Sequence, residues 1–494
     1  MRLLACCCVV VLSACPAPPG EGDGGPAELP PLSAAPLATE ARWLPKKEVT
    51  RDANRSPALP ANLKFLQDNG YGEVELGAGM STVTLTLDGQ PAPAPGAGRR
   101  LLLRFVHLAD AQLTDDESPA RLVDFDSMSA TSGAFRPQEA WGCHALNAAV
   151  RTINKVHEAT PISLVVLGGD NADNAQANEH AWFRDILSGS PSVECDSGDD
   201  DDPEPGPGND PKDPFFARGL AMPWLWVTGN HDILNQGNFP ITDETRAQAT
   251  GTRAEFGARD WTREGAPTTK GDVPADARRD PLVGEALLDF IAADGDGHGL
   301  RQSGATKDGK AFYAHDIEGV PLRLVVLDTA APTGSADGLL LSDDVESRVR
   351  PLLEEAEAQG RYVLLFSHHG ARKLTDGSGF GGTAQAGALS TTAWQNFLGA
   401  FPNVVMHIAG HSHDFYSAIA RPSTGHAFYE AETSALTDWP QQLRVFEVWD
   451  EDNGFLRIRA VPFDFSEEND PMAAEFRRRA ALDYGQAIKD LARN

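Results

Sequence analysis

Three side chains with complementary chemistry follow the apolar run at residues 221–227. Asn230 offers an amide oxygen that can ligate a hard metal ion, and His231 offers an imidazole that can pass a proton to a leaving group. Asp232 offers a carboxylate that can orient a neighbouring imidazole. Ligands bind beyond the carboxyl ends of strands in open α/β sheets, so this stretch predicts a reaction site at a strand end.

Four more apolar runs end in residues of the same chemistry. Their carboxylates, amides and imidazoles combine hard oxygen donors with borderline nitrogen donors, a set typical of Mn, Fe or Zn centres rather than of thiolate-bound structural zinc. Two metal ions about 3.5–4 Å apart can clamp a phosphoryl group during an in-line displacement. In chain order the residues are Asp110 and Gln112, Asp170, His368 and His369, and His411 and His413.

The elements between these residues alternate between strand and helix. Residues 101–108 and 162–167 are apolar runs typical of strands that are buried on both faces, and residues 138–157 have helical spacing. Asp173 and Asn174 precede another helical pattern and are predicted to cap that helix. Parallel strands end at one edge of a sheet, so the polar residues should converge there. Further strands are predicted over 222–227, 322–327, 362–366 and 404–408.

The ordered set resembles the signature of the calcineurin-like metallophosphoesterases, which is D-x-H, G-D-x-x-D/N, G-N-H-D/E, a lone histidine and G-H-x-H. The corresponding stretches are LADAQ, GGDNADN, GNHD, SHHG and GHSH, in order across roughly residues 101–415. The resemblance implies an α/β fold, a two-sheet αββα sandwich with long loop insertions and with the metal ions at one sheet edge. It also implies hydrolysis of a phosphoric ester with two divalent or trivalent ions, for which Mn, Fe and Zn are the candidates.

The resemblance assigns roles by position in the motifs. Asp170 is expected to lie between the two metal ions and to bind both. His231 is expected to protonate the leaving oxygen, with Asp232 orienting its ring, and His369 is expected to contact the substrate. The remaining ligands divide into Asp110, Gln112 and His413 at one site and Asn230, His368 and His411 at the other.

Gln112 stands where the family has a histidine. An amide oxygen still ligates, but it is a weaker donor to Zn or Fe than an imidazole nitrogen. The first site is therefore expected to be looser or to prefer Mn, and a protein that keeps the fold with weakened catalysis stays an alternative.

The chain of 494 residues is acidic, with 42 Lys and Arg against 71 Asp and Glu and a formal net charge of −29. Such a charge repels phosphate backbones, so nucleic acid is not an expected partner. The main prediction is a phosphoesterase that acts on a small phosphorylated compound. The alternatives are a phosphodiesterase or nuclease of the same fold and a binding lipoprotein without full catalysis.

The first residues are typical of a bacterial lipoprotein signal. Residues 3–12 form an apolar run that is too short to span a bilayer, and residues 12–15 resemble a lipobox ending at Cys15. An ordinary signal peptide is the alternative. The prediction is a signal peptide over 1–14, lipidation of Cys15 and a flexible proline- and glycine-rich tether over 15–61. The protein would then be lipid-anchored in the cell envelope, outside the cytoplasm.

The rest of the chain is predicted to be a small β-rich segment over 62–98 and one metallophosphoesterase domain over 99–494. Polar stretches near 188–220 and 235–310 interrupt the pattern and are expected to be insertions.

Of the six cysteines, Cys6, Cys7 and Cys8 would be removed with the signal peptide and Cys15 would carry a lipid, which leaves Cys143 and Cys195. In an oxidising compartment this pair forms either a disulfide or two separate buried thiols, and the sequence leaves both open.

Overall fold

Two β-sheets face each other in the centre of the structure, which is a computed structural model. One cluster of buried side chains draws from both sheets, including Phe105 of the first and Phe366 of the second. The rings of these two residues lie edge to face with their centroids 5.5 Å apart. The structure describes residues 26–52, 54–126, 133–198 and 210–486, so the predicted signal peptide and Cys15 lie outside the described residues.

The first sheet has five strands. Its central strand, Arg100–Leu108, pairs in parallel with one neighbour and antiparallel with the other. The predicted strand over 222–227 is shorter in the structure, where only Trp224–Leu225 pairs with the sheet. Across the sheet the strands lie in the order Leu456–Asp464, Gln442–Asp450, Arg100–Leu108, Leu164–Leu167 and Trp224–Leu225.

The second sheet has six strands. Its four inner strands run parallel, and the two edge strands pair antiparallel with their neighbours. Across the sheet the strands lie in the order Tyr313–Asp316, Leu322–Val326, Tyr362–Phe366, Val404–Ala409, Phe428–Glu432 and Tyr416–Ala420.

Side chains of the second sheet point alternately to two apolar layers, because successive residues of a strand face opposite sides. Leu324 and Val326 join the cluster between the sheets, whereas Val325 joins a second cluster with Leu353 and Trp394 of the outer helices. A sheet that is covered on both faces needs apolar residues at consecutive positions, which explains the uninterrupted apolar runs. The architecture is therefore the predicted αββα sandwich.

Helices cover the outer face of each sheet. Among the described residues, none of them combines the length and the hydropathy that crossing a membrane requires. The capping prediction at Asn174 is wrong, because helix Ala177–Ser188 begins after Gln176, which forms a capping box with Glu179. The other helices of four residues or more are Pro60–Asp68, Gly142–Ala159, Asp243–Ala249, Glu285–Ala292, the π-helical Val345–Val349, Arg350–Ala358, Thr391–Gly399 and Pro471–Gln486.

The structure differs from the predicted tether in the part of that segment it describes. Strand Ala41–Pro45 pairs antiparallel with Val74–Ala78, and the backbone N–H of Ala38 donates to the carbonyl of Pro462 at 2.8 Å. Ala38 is fully buried as a result. The segment predicted to be β-rich holds only the short strand Val74–Ala78 and overlaps helix Pro60–Asp68, so residues 37–52 and 54–78 pack as part of the domain.

The insertion near 188–220 is fixed to the domain by a disulfide. Cys143, in the first turn of helix Gly142–Ala159, is joined to Cys195 across a sequence separation of 52 residues. The buried ammonium of Lys212 also donates to Asp116 and Glu117, both at 2.7 Å. Of the two alternatives for the cysteines, the structure has the disulfide.

We expect Cys143→Ser to lower the free energy of unfolding by about 2–4 kcal/mol, because opening the covalent loop gives the unfolded chain more conformational freedom. Urea denaturation of the oxidised proteins measures the difference. Reductant should cause a similar loss in the wild type and no further loss in the variant. Equal stability of oxidised wild type and variant would contradict the prediction.

Candidate metal centre

Five strand ends from the two sheets meet at one edge of the sandwich. Atoms of Asp110, Asp170 and His368 that can bind a metal lie within 4.8 Å of one another, and all three residues are buried. The rings of His368 and His411 are 5.1 Å apart. The first sheet supplies Asp110, Gln112, Asp170 and Asn230, and the second supplies His368, His411 and His413.

Most of these residues stand in turns of left-handed backbone conformation, which L-residues other than glycine seldom adopt. The chain reverses sharply there, so the side chains turn toward the sheet edge. Hydrogen bonds fix the turns: Asp110 N–H donates to Gly169 O at 3.0 Å, and Gln112 N–H donates to Asp170 O at 2.9 Å. The residues with positive φ are Asp110 (53°), Gln112 (43°), Asp170 (53°), His411 (67°) and His413 (57°).

Asp110 contacts the two histidines of the GHSH motif. Its Oδ2 accepts a hydrogen bond from the backbone N–H of His411 at 3.0 Å, and its Oδ1 lies 3.3 Å from Nε2 of His413. Asp170 is placed similarly on the other side, since its Oδ2 lies 3.1 Å from Nε2 of His368. The two carboxylates thus face the same group of imidazoles.

Two buried acceptor atoms near Asp170 have no hydrogen-bond partner, namely Oε1 of Gln112 and Oδ1 of Asn230. The amide nitrogen of each side chain is engaged: Gln112 Nε2 donates to Asp170, and Asn230 Nδ2 donates to Gly237 O. His368 Nδ1 donates to Gly168 O, and its Nε2 faces Asp170. Because unsatisfied buried acceptors are unfavourable, this arrangement fits side chains that are oriented to bind cations.

The carboxylates of the centre and His368 stabilise each other's charged forms. Burial raises the pKa of Asp170, but His368 and His231 outweigh that effect and hold it below its ordinary value. Burial lowers the pKa of His368, but Asp170 and Asp110 together raise it to about 9. A centre that stabilises anionic carboxylates this strongly also attracts metal cations.

The ring of His231 is oriented by Asp173 and not by Asp232. His231 Nδ1 lies 2.8 Å from the carbonyl oxygen of Asp173 and 3.1 Å from its Oδ1. Burial lowers the pKa of His231, but Asp170 and Asp173 raise it to about 9. Asp173 is the fifth residue of the GDNAD stretch, so its place in the motif was the available signal for this role.

Asp232 instead fixes the backbone around the centre. Its carboxylate accepts N–H bonds from Gly229 at 2.8 Å, Asn171 at 2.9 Å and Ala172 at 3.1 Å. Burial, followed by the charge of Asp170, raises the pKa of Asp232 to about 7. The predicted role of Asp232 is therefore wrong, because the carboxylate turns back toward the main chain and away from the neighbouring ring.

The structure does not support the predicted substrate contact at His369. This residue is fully buried, its Nδ1 lies 3.0 Å from Oγ1 of Thr329, and its Nε2 lies 2.9 Å from the carbonyl oxygen of Ala336. One of its ring nitrogens lies within 4.8 Å of a potential ligand atom on each of His368 and His411. Both nitrogens of His369, however, already have hydrogen-bond partners. His369 therefore connects the end of its own strand to the loop that contains Thr329 and Ala336.

Asp438 and Arg136 belong to the centre and were not predicted. Asp438 Oδ2 accepts from Nδ1 of His413 at 2.6 Å, and Asp438 Oδ1 accepts from Nε of Arg136 at 3.0 Å. The same guanidinium lies 3.6 Å from Asp173. Arg136 therefore connects the carboxylates behind His413 and His231. No local pattern marks either residue, because both reach the centre from loops.

The sandwich and a buried edge of oxygen and nitrogen donors are those of a metal-dependent phosphoesterase. A family model described as calcineurin-like phosphoesterase matches residues 103–415 of the 494, so the chain belongs to that family. No curated protein sequence matches the chain. Among solved structures, the chain is similar to a dimetal phosphatase from Danio rerio, with 12% sequence identity and a TM-score of 0.39 over 74% of this chain and 100% of that one.

We expect Gln112 to determine the metal preference of its site. Gln112→His replaces an amide oxygen with an imidazole nitrogen and should shift the bound metal from Mn toward Zn or Fe, whereas Gln112→Ala should lower the metal stoichiometry. Metal content after dialysis against mixed metals measures both effects without relying on activity. Gln395→Ala removes an amide that donates to Glu430 away from the centre and is the control. Identical metal content in all four proteins would contradict the prediction.

Proposed function

We propose that the protein hydrolyses a small phosphorylated substrate at a binuclear metal centre. The observation that carries the proposal is the pair of buried, partnerless acceptors on Gln112 and Asn230, which lie around Asp170 together with Nε2 of His368. One metal ion would be held by Asp110, Gln112, Asp170 and His413, and the other by Asp170, Asn230, His368 and His411. When bound, the two ions would neutralise charge on the phosphoryl oxygens and activate a water molecule for in-line attack.

His231 would donate the proton that the leaving oxygen needs. Its Nδ1 is held by Asp173, whereas its Nε2 has no hydrogen-bond partner among the described residues. Burial lowers the pKa of the ring, whereas Asp170 and Asp173 raise it, and Asp173, which is not a proposed metal ligand, favours the protonated form in the loaded centre. A Cβ atom on Gly237 would lie 2.3 Å from Nε2, so a glycine at this position leaves room beside the donor atom.

The substrate is proposed to be small because the net charge of −29 opposes the approach of a polyanion. A phosphodiesterase or nuclease is the competing function, and a binding protein without catalysis is another. Protein stripped of metal and reconstituted with Mn or Zn should hydrolyse nitrophenyl phosphate faster than bis-nitrophenyl phosphate. A faster diester reaction would favour a phosphodiesterase, and full metal content without any hydrolysis would favour the binding protein.

We expect His231→Ala to slow hydrolysis of alkyl phosphates about 10²–10⁴-fold, because the alkoxide leaving group then lacks a proton donor. The loss should be smaller for nitrophenyl phosphate, whose leaving group needs no proton. Metal content should stay at the wild-type level. Asp173→Asn should reproduce the same dependence on the leaving group in weaker form. Loss of a metal ion from His231→Ala would mean that the residue is a ligand.

We also propose that the protein is anchored in the cell envelope through a lipid on Cys15. The sequence of residues 12–15 and the apolar run before it support this proposal. Several acyl chains bind a membrane firmly, whereas a single chain binds only marginally.

We expect Cys15→Ala to move the protein from the membrane fraction to the soluble fraction, or to leave it unprocessed, when it is expressed in a bacterial host. Immunoblots of the separated fractions and the mass of the mature N-terminus measure the change. Equal recovery of wild type and variant in the membrane fraction would contradict the anchor.

A further inference from the structure

Two phenylalanines form an accessible pair beside the proposed proton donor. Phe380 is 63% exposed, and its ring lies edge to face with the ring of Phe239 at a centroid distance of 5.3 Å. Single apolar residues on a protein surface are common, but an aromatic pair at the rim of a reaction site is typical of a surface that contacts a ligand. The geometry of the surrounding loops points to the kind of ligand.

A short hairpin connects Phe239 to the centre. Strands Leu234–Asn235 and Phe239–Pro240 pair antiparallel, and the turn between them contains Gly237 with φ 62°. The carbonyl oxygen of Gly237 accepts the Nδ2 hydrogen bond of Asn230 at 2.9 Å, and the same glycine borders Nε2 of His231. Phe239 therefore follows Gly237, the glycine that borders the proton donor, by two residues along the chain.

The loop that carries Phe380 packs against the tip of this hairpin. A Cβ atom on Gly381 would lie 2.5 Å from the carbonyl oxygen of Asn238, so this approach requires glycine. The same carbonyl accepts the backbone N–H of Ser335 at 3.0 Å. Three loops that follow strands of the two sheets therefore meet at the aromatic pair, on the same edge as the centre.

The position of the proton donor decides which part of a substrate reaches the pair. The leaving oxygen must come within hydrogen-bond distance of Nε2 of His231, about 2.6–3.2 Å, to receive a proton. We propose that the group attached to that oxygen extends past Gly237 toward Phe239 and Phe380, and that these two residues form a leaving-group subsite for an aromatic or planar apolar group. This inference rests on the proposed phosphoesterase function.

The test compares two esters whose alcohols differ mainly by a ring, ethyl phosphate and 2-phenylethyl phosphate. Their leaving groups are both alkoxides, so the requirement for a proton donor is similar. The wild type should favour the phenylethyl ester in kcat/KM by about tenfold, the order of an aromatic contact, mainly through a lower KM. Phe239→Ala together with Phe380→Ala should bring the ratio close to one. Phe455→Ala, a residue 54% exposed elsewhere, is the matched control and should keep the wild-type ratio.

Binding of the non-hydrolysable ethylphosphonate and 2-phenylethylphosphonate to the metal-loaded protein, measured by calorimetry, separates this inference from the proposed function. Tighter binding of the phenylethyl compound that disappears in the double variant supports the subsite even if no ester is hydrolysed. Equal kcat/KM and equal affinity for the two members of each pair in the wild type would overturn it. An unchanged preference in the double variant would also overturn it. A third result would also overturn the inference, namely a dimer that dissociates on Phe380→Ala without any change in substrate preference. The pair would then be a contact between copies of the chain.

Discussion

The burial of two neighbouring carboxylates, Asp110 and Asp170, is the constraint on which the rest of the centre depends. Each is 1% exposed, and among the described residues neither has a lysine or arginine within ion-pair distance. Anions inside a protein are unfavourable unless a positive group lies close by. Imidazoles, or the metal ions that they and the carboxylates can bind, are the groups in position to supply that charge. The arginines stand one layer farther out, where Arg136 meets Asp438 and Asp173 behind the histidine rings.

Ion pairs of this outer layer connect loops of low regularity to the centre. The guanidinium of Arg121 donates to Glu139 at 2.7 Å and lies 3.5 Å from Asp173. Lys212 and the disulfide attach the insertion to the same side of the domain. Desolvation offsets much of the attraction in a buried ion pair, so we infer that these pairs act mainly by fixing positions. They define one position for each ring, which is what a reaction centre needs.

The sequence predicted the convergence of the strand ends because each apolar run ends in a polar motif, and parallel strands bring those ends together. The two-sheet sandwich was predicted from the resemblance to the phosphoesterase family. The sequence failed where partners are close in space but not in the chain. Asp232 follows His231, yet its carboxylate meets backbone amides, whereas Asp173 reaches the ring from another strand end. It failed in the same way near Ala38, whose proline-rich neighbours indicate flexibility while Pro462, far along the chain, provides the packing partner.

The left-handed turns under the centre limit which residue types can stand at the ligand positions. Asparagine, aspartate and histidine are the non-glycine residues that adopt this backbone conformation most readily, and they are also good metal ligands. Backbone preference and ligand chemistry therefore select the same amino acids at Asp110, Asp170, His411 and His413. The same side chains on straight strand ends would not converge, because the left-handed turn is what directs them toward the edge of the sheet. Gln112 is the one proposed ligand whose residue type lacks that backbone preference, so the surrounding hydrogen bonds must hold its turn against a conformational cost.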